Sequence, residues 1–162
     1  MSTCVFSDIH GNRKLFNQVI DAIGPEDRAF FLGDAIDRGA DGWAIFKEII
    51  NDPRITFICG NHEDMMINTF RIFPSRIETS AAEIWSWNGN QPTLEAIYND
   101  DPEAVSYYLD KARNLPVFKT YINPNGDIFW LSHAGCDYTE YINELTRDQL
   151  IWDRSHFLNN MW

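Results

Sequence analysis

Apolar positions in the first sixty residues fall into two kinds of run. Residues 3–7, 29–32 and 55–59 are short, nearly continuous and partly β-branched, which predicts buried strands. Between them Leu15, Phe16, Val19, Ile20 and Ile23, and then Trp43, Ile45, Phe46, Ile49 and Ile50, recur at helical spacing. Gly24-Pro25 and Asp52-Pro53 stop these two helices, because proline has no amide hydrogen and biases the preceding residue away from helical backbone. Strands separated by helices of this length predict parallel pairing through crossover connections.

From Asp64 to Leu115 the periodicity is helical, and Trp85, Trp87, Tyr98, Tyr107 and Tyr108 interleave with Asn88-Gly89-Asn90. This predicts a helical insertion, either a cap packed on the sheet or an aromatic platform for substrate. Aromatic side chains chiefly supply buried area, which favours the cap. Residues 117–122, the turn Asn123-Pro124-Asn125-Gly126, and residues 128–131 predict a β-hairpin, hence a second sheet. No repeat, low-complexity tract or linker interrupts the chain, so residues 1–162 are expected to form one domain carrying the insertion at 64–115.

The 162 residues are 44% hydrophobic, enough for one core and too few for two large domains. A net charge of -11 argues against nucleic acid as a partner, since phosphate backbones are bound by lysine and arginine. A phosphorylated ligand would instead need local compensation, which divalent cations in an acidic cleft supply. Cys4, Cys59 and Cys136 are odd in number and widely spaced, and read as reduced thiols. No apolar run has signal-peptide or membrane-span character, so a cytoplasmic location without membrane contact is expected.

Chemistry-bearing residues gather where strands should end. Asp8-Ile9-His10-Gly11 follows the first strand; an extended backbone would point Asp8 and His10 to one side, able to chelate a cation. Taken alone, Asp-x-His reads more readily as a solvated aspartate beside a packed histidine. Gly33-Asp34 follows the second strand, where a carboxylate can offer one oxygen to each of two cations, and Asp37-Arg38-Gly39 lies in the next turn. Gly60-Asn61-His62-Glu63 follows the third, its amide oxygen a hard ligand and His62 left free as an acid. His133-Ala134-Gly135 brings a further imidazole from the second sheet, and Trp152-Asp153-Arg154 offers an arginine that in isolation would read as a surface residue.

Together these motifs resemble the calcineurin-like metallophosphoesterases, and within them the phosphoprotein phosphatase family, especially the compact bacterial and bacteriophage serine/threonine phosphatases. The resemblance implies an α/β (α+β) fold, a two-sheet β-sandwich flanked by helices. It implies Asp8 and His10 on a first metal, Asp34 bridging, and Asn61 and His133 on a second, with Mn2+ favoured over Fe or Zn2+. It also implies His62 as general acid oriented by Asp37, and Arg38, Arg154 and Asn61 binding substrate phosphate. The reaction would be direct hydrolysis by water of a phosphoprotein or small phosphomonoester.

The family pattern carries one more histidine ligand, in a Gly-His-Thr/Ser-like segment after Trp-x-Arg. This sequence has only His156 there, without that context. The expectation is therefore a domain lacking its last strands, with an incomplete second metal site and slow turnover. Two other functions stay open: a dinucleoside polyphosphate hydrolase of similar fold, and a non-catalytic metal-binding module.

Overall fold

In a computed structural model that describes residues 2–71, 79–135 and 144–154, strands and helices alternate until residue 57 and helices then take over. Strands β1 (Thr3–Phe6), β2 (Arg28–Phe31) and β3 (Ile55–Phe57) form a parallel sheet in that order, with α1 (Arg13–Ala22) and α2 (Gly42–Asn51) as the crossovers. Asn12 caps α1, its side-chain oxygen accepting the Leu15 amide at 3.1 Å, and α2 stops at Asp52, before Pro53. Leu32 and Ile58 still donate to Phe6 and Phe31 of the neighbouring strands, but the chain bends beyond them into the site loops. β1 and β3 are accordingly shorter than the apolar runs that predict them, and β2 starts and ends one residue earlier than its run.

Helices α3 (Asn61–Thr69), α4 (Thr79–Trp87), α5 (Gln91–Tyr98) and α6 (Pro102–Arg113) follow. The helical stretch thus begins three residues before Asp64, directly after Gly60. Asp101 accepts the Ala104 amide at 2.9 Å and Pro102 takes the first turn of α6, where its missing amide hydrogen costs nothing. Phe31, Phe46 and Ile49 of the sheet layer share one buried cluster with Phe70, Trp85, Val105 and Leu109. The cap expectation therefore describes Trp85, whereas Trp87 on the same helix is 81% exposed.

The second sheet is the antiparallel pair β4 (Phe118–Ile122) and β5 (Ile128–Ser132), with Ile122 opposite Ile128. Its turn is built by Asn123, whose side-chain oxygen accepts the amides of Asn125 and Asp127, both at 2.9 Å. The hairpin meets the first sheet through the Tyr121 ring against Phe30 and a 2.9 Å hydroxyl contact between Tyr121 and Thr3. A last helix, α7 (Arg147–Trp152), was not expected, although Thr146 and Gln149 form a capping box ahead of buried Leu150 and Ile151. The result is the two-sheet, helix-flanked architecture expected.

Among the described residues no helix is long and apolar enough to cross a membrane. Cys4 and Cys59 are free thiols; Cys136 and His156 lie outside the described residues.

Candidate metal centre

Past the strand ends the first two loops run side by side: Asp8 donates to Gly33, His10 to Asp34 and Gly11 to Ala35 through backbone bonds of 2.9–3.0 Å. The backbone there is not extended. Asp8, His10, Asp34, Asp37 and Arg38 have φ of 55°, 45°, 65°, 71° and 64°, the left-handed region that costs a non-glycine residue roughly 1–3 kcal/mol. Asp8 and His10 are thus brought together by a turn, not by strand alternation as expected. The turn is forced by a close approach: a Cβ on Gly11 would lie 2.4 Å from the Gly39 carbonyl oxygen. That crossing gathers the first two motifs into one place.

Asp34 is the centre of the cluster. Its Oδ1 accepts the His62 amide at 3.1 Å, while Oδ2 lies 3.6 Å from His10 Nε2, 3.6 Å from His133 Nε2 and 3.9 Å from His62 Nε2. These separations exceed a hydrogen bond, yet two ligand bonds of about 2.1 Å to a common ion can span them. Asp8 Oδ1 is 3.8 Å from His10 Nε2, on a side chain 56% exposed. Gly60 makes room, since a Cβ there would meet Asp34 Oδ1 at 2.3 Å.

The tautomers also suit a metal. His10 Nδ1 faces the Ile36 carbonyl at 3.0 Å and His133 Nδ1 the Leu32 carbonyl at 2.6 Å. A carbonyl only accepts, so each ring donates through Nδ1 and turns an unprotonated Nε2 toward Asp34. His133 Nε2 is also 2.8 Å from Asn61 Oδ1, close enough for both atoms to reach one cation. Burial lowers the His10 pKa against the opposing pull of Ile36 and Asp34, which keeps the ring neutral as a ligand must be. The donor set therefore fits divalent cations.

His62 has different surroundings. Its Nδ1 is 2.6 Å from Asp37 Oδ2, and its Nε2 is 3.2 Å from Arg38 Nη2. Burial opposes charge on this ring, but the Asp37 hydrogen bond and the charges of Asp34, Asp37 and Glu63 outweigh it, and the pKa is raised. His10, Asp34 and His62 bring ligand atoms within 4.8 Å of one another, so His62 is a geometric candidate for a ligand as well. The guanidinium against Nε2 opposes a cation on that nitrogen.

Asp37 is fully buried and bonds to His62 rather than to the adjacent Arg38, so the surface Asp-Arg pair that is the ordinary reading of such a loop does not form. Asp64, two residues after His62, pairs instead with Arg147 of α7 at 2.9 Å. Arg154 is exposed and makes no hydrogen bond to the described residues, so it is not tied to the cluster as Arg38 is.

Two supporting roles escape a reading by motif, that of Glu63 and that of Trp85. The Glu63 carboxylate accepts the backbone amides of Asp34, Ala35 and Gly60 at 2.8, 2.9 and 3.1 Å, which locks the second and third loops together. Burial and the nearby Asp34 charge push its pKa up to about 7, against the pull of those amides. Its position three residues into a helix after Gly60 was the available signal. Trp85 donates to Asp37 Oδ2 at 2.6 Å, and nothing in its local sequence separates it from the other aromatics of the insertion.

A family model described as Calcineurin-like phosphoesterase matches residues 1–162. Serine/threonine-protein phosphatase 2 of Escherichia coli (strain K12) is 28% identical over 153 residues, covering 91% of this chain and 66% of its own length. The symmetrical bis(5'-nucleosyl)-tetraphosphatase of Nitrosomonas europaea is 28% identical over 141 residues, covering 83% of this chain and 45% of its own. A solved structure named as a candidate diadenosine tetraphosphatase shares the fold, with a TM-score of 0.60 at 17% identity over 92% of this chain and 61% of that one. The chain thus spans between about half and two thirds of the length of these three proteins.

Proposed function

This chain belongs to the calcineurin-like phosphoesterase family, and we propose that it is a metal-dependent phosphomonoesterase acting on phosphoserine or phosphothreonine in proteins. The observation that carries the reading is the convergence of three imidazole Nε2 atoms on Asp34 Oδ2, with the His62–Asp37 pair and Arg38 at its edge. In this reading Asp8, His10 and Asp34 hold one cation, and Asp34, Asn61 and His133 hold a second. Mn2+ is favoured because carboxylate and amide oxygens accompany the imidazoles. Bound cations supply a lowered pKa for a coordinated water and neutralise charge on the phosphoryl oxygens.

The chain's own residues divide the remaining work. Arg38 presents a planar guanidinium to the phosphoryl oxygens, which would draw it off His62 Nε2. His62, its ring held through Nδ1 by Asp37, then carries a proton on Nε2 and delivers it to the departing serine or threonine oxygen. One P–O bond to water forms as the ester P–O bond breaks, and each turnover consumes one water. The raised His62 pKa supports the acid role.

Residues 1–162 are read as one such domain with 64–115 inserted in it, supported by the core that Trp85, Val105 and Leu109 share with the sheet. A cytoplasmic setting belongs to the same reading, supported by the unpaired Cys4 and Cys59. A second substrate class, dinucleoside polyphosphates, is favoured by the likeness to the Nitrosomonas europaea protein.

The test is phosphate release by Mn2+-loaded protein from a phosphoserine peptide, run beside diadenosine tetraphosphate. The account expects the peptide to be the better substrate and His62→Asn to reduce the rate by about 10²–10⁴. Preference for the dinucleotide would move the substrate class, activity undiminished in His62→Asn would sink the acid assignment, and no hydrolysis of either would leave a metal-binding module.

A further inference from the structure

We infer that the segment from Trp85 to Thr93 in the helical insertion is a clamp on the catalytic dipeptide Asp37-Arg38, and that Trp85 is the positioning residue that aims His62. The inference rests on the phosphoesterase reading above. Its starting point is that Asp37 and Arg38 are consecutive left-handed residues, with φ of 71° and 64°, a conformation that must be held from outside. Three hydrogen bonds do this, all from the insertion. Thr93 Oγ1 accepts the Asp37 amide at 2.8 Å, the Gly89 carbonyl accepts the Arg38 amide at 2.9 Å, and Trp85 Nε1 donates to Asp37 Oδ2 at 2.6 Å.

The side-chain bond is the informative one. His62 Nδ1 and Trp85 Nε1 both reach Oδ2 of Asp37, each at 2.6 Å, while Oδ1 is buried without a hydrogen-bond partner among the described residues. A carboxylate held only by the imidazole could rotate about its Cβ–Cγ bond and exchange oxygens. The indole blocks that rotation: Trp85 is fully buried, edge-on to Phe70 at 5.9 Å, and has little room to follow. Orientation passes from α4 through the indole to Asp37 and then to the ring that delivers the proton. Gly89 fits the same role, because its φ of 86° turns its carbonyl toward Arg38 and a Cβ there would sit 3.4 Å from the Arg38 side chain.

The experiment exploits the leaving group. Serine leaves as a poor alkoxide and needs the proton from His62, whereas 2,4-dinitrophenolate departs without one. Trp85→Phe keeps the aromatic packing and deletes the N–H. The expected result is a loss in kcat on a phosphoserine peptide of roughly ten- to a hundredfold, with KM and the dinitrophenyl phosphate rate held within about threefold.

Trp43→Phe is the control, since its indole donates to Asp100, between α5 and α6, and should leave the substrate ratio unchanged. Equal losses on both substrates, or none, would overturn the inference. If Trp85→Phe does not fold, Thr93→Val removes the acceptor of the Asp37 amide and reads the same split, with the same overturning results.

A second readout separates this inference from the function it rests on. The His62 Nδ1 proton should appear as a far-downfield NMR resonance, identified by its loss in His62→Asn. Displacement of that resonance in Trp85→Phe supports the clamp even if wild-type protein hydrolyses neither substrate, and an unmoved resonance overturns it.

Discussion

At the carboxyl ends of β2 and β3, Asp34, Asp37, His62 and Glu63 are anchored from several sides, whereas the hairpin brings in His133 on two ring contacts, with the Leu32 carbonyl and Asn61 Oδ1. Asp34, Asp37, His62 and Glu63 are all at most 3% exposed and are held by backbone amides of several loops and by the Trp85 indole. The hairpin instead shows solvent Ile122 at 60%, Ile128 at 62% and Trp130 at 55%. Both halves face the same carboxylate, but only one is preorganised. The cation on the Asp8–His10 side should therefore depend little on hairpin docking, and the one on the His133 side should depend on it strongly.

The largest disruption of the preorganised half is expected from Glu63→Gln. One end of the amide must then face backbone N–H donors with donors of its own, which costs about 2–4 kcal/mol of stability, read as a lower urea midpoint at unchanged slope. A midpoint within error of wild type would mean that the loops are held otherwise.

His133→Ala is the corresponding break on the hairpin side. The prediction is a shift of no more than about 1 kcal/mol in folding, because the ring lies at the edge of the cluster and outside the hydrophobic core. Metal analysis should show loss of the cation on the His133 side, and phosphate release should fall with it. Retention of both ions would remove His133 from the ligand set. Smallest of all should be Trp130→Ser on the outer hairpin, within about 0.5 kcal/mol and without effect on metal content. A larger loss would show that this face is packed against something.

The same contrast governs what could be read from sequence. The candidate ligand positions were legible because each lies where an apolar run stops, and the run marks the strand whatever the tertiary context: Asp8, Asp34, Asn61 and His133 all occupy such points. Helix ends before Gly24-Pro25 and at Asp52-Pro53 were legible for local reasons of proline sterics. How those residues are held was not. The left-handed turn at Asp8 and His10 accompanies the crossing of Gly11 over Gly39, a contact between loops that no periodicity records, and the one at Asp37-Arg38 is held by the insertion. The Trp85 bond to Asp37 spans 48 residues, and the indole signals only apolar burial until its N–H is seen to have a partner. Helix α7 was a missed local signal, since Thr146-x-x-Gln149 before Leu150-Ile151 is a capping box in plain sequence.

The central claim is that Asp34 organises both cations and that hydrolysis follows their binding. Calorimetric titration of Mn2+ into chelator-stripped wild-type and Asp34→Asn protein tests it most directly, with phosphopeptide hydrolysis followed in the same samples. The account predicts binding in the wild type that tracks the onset of hydrolysis, and loss of both in the variant. Asp34→Asn protein that binds Mn2+ as the wild type does, or hydrolysis that persists in the stripped protein, would contradict it.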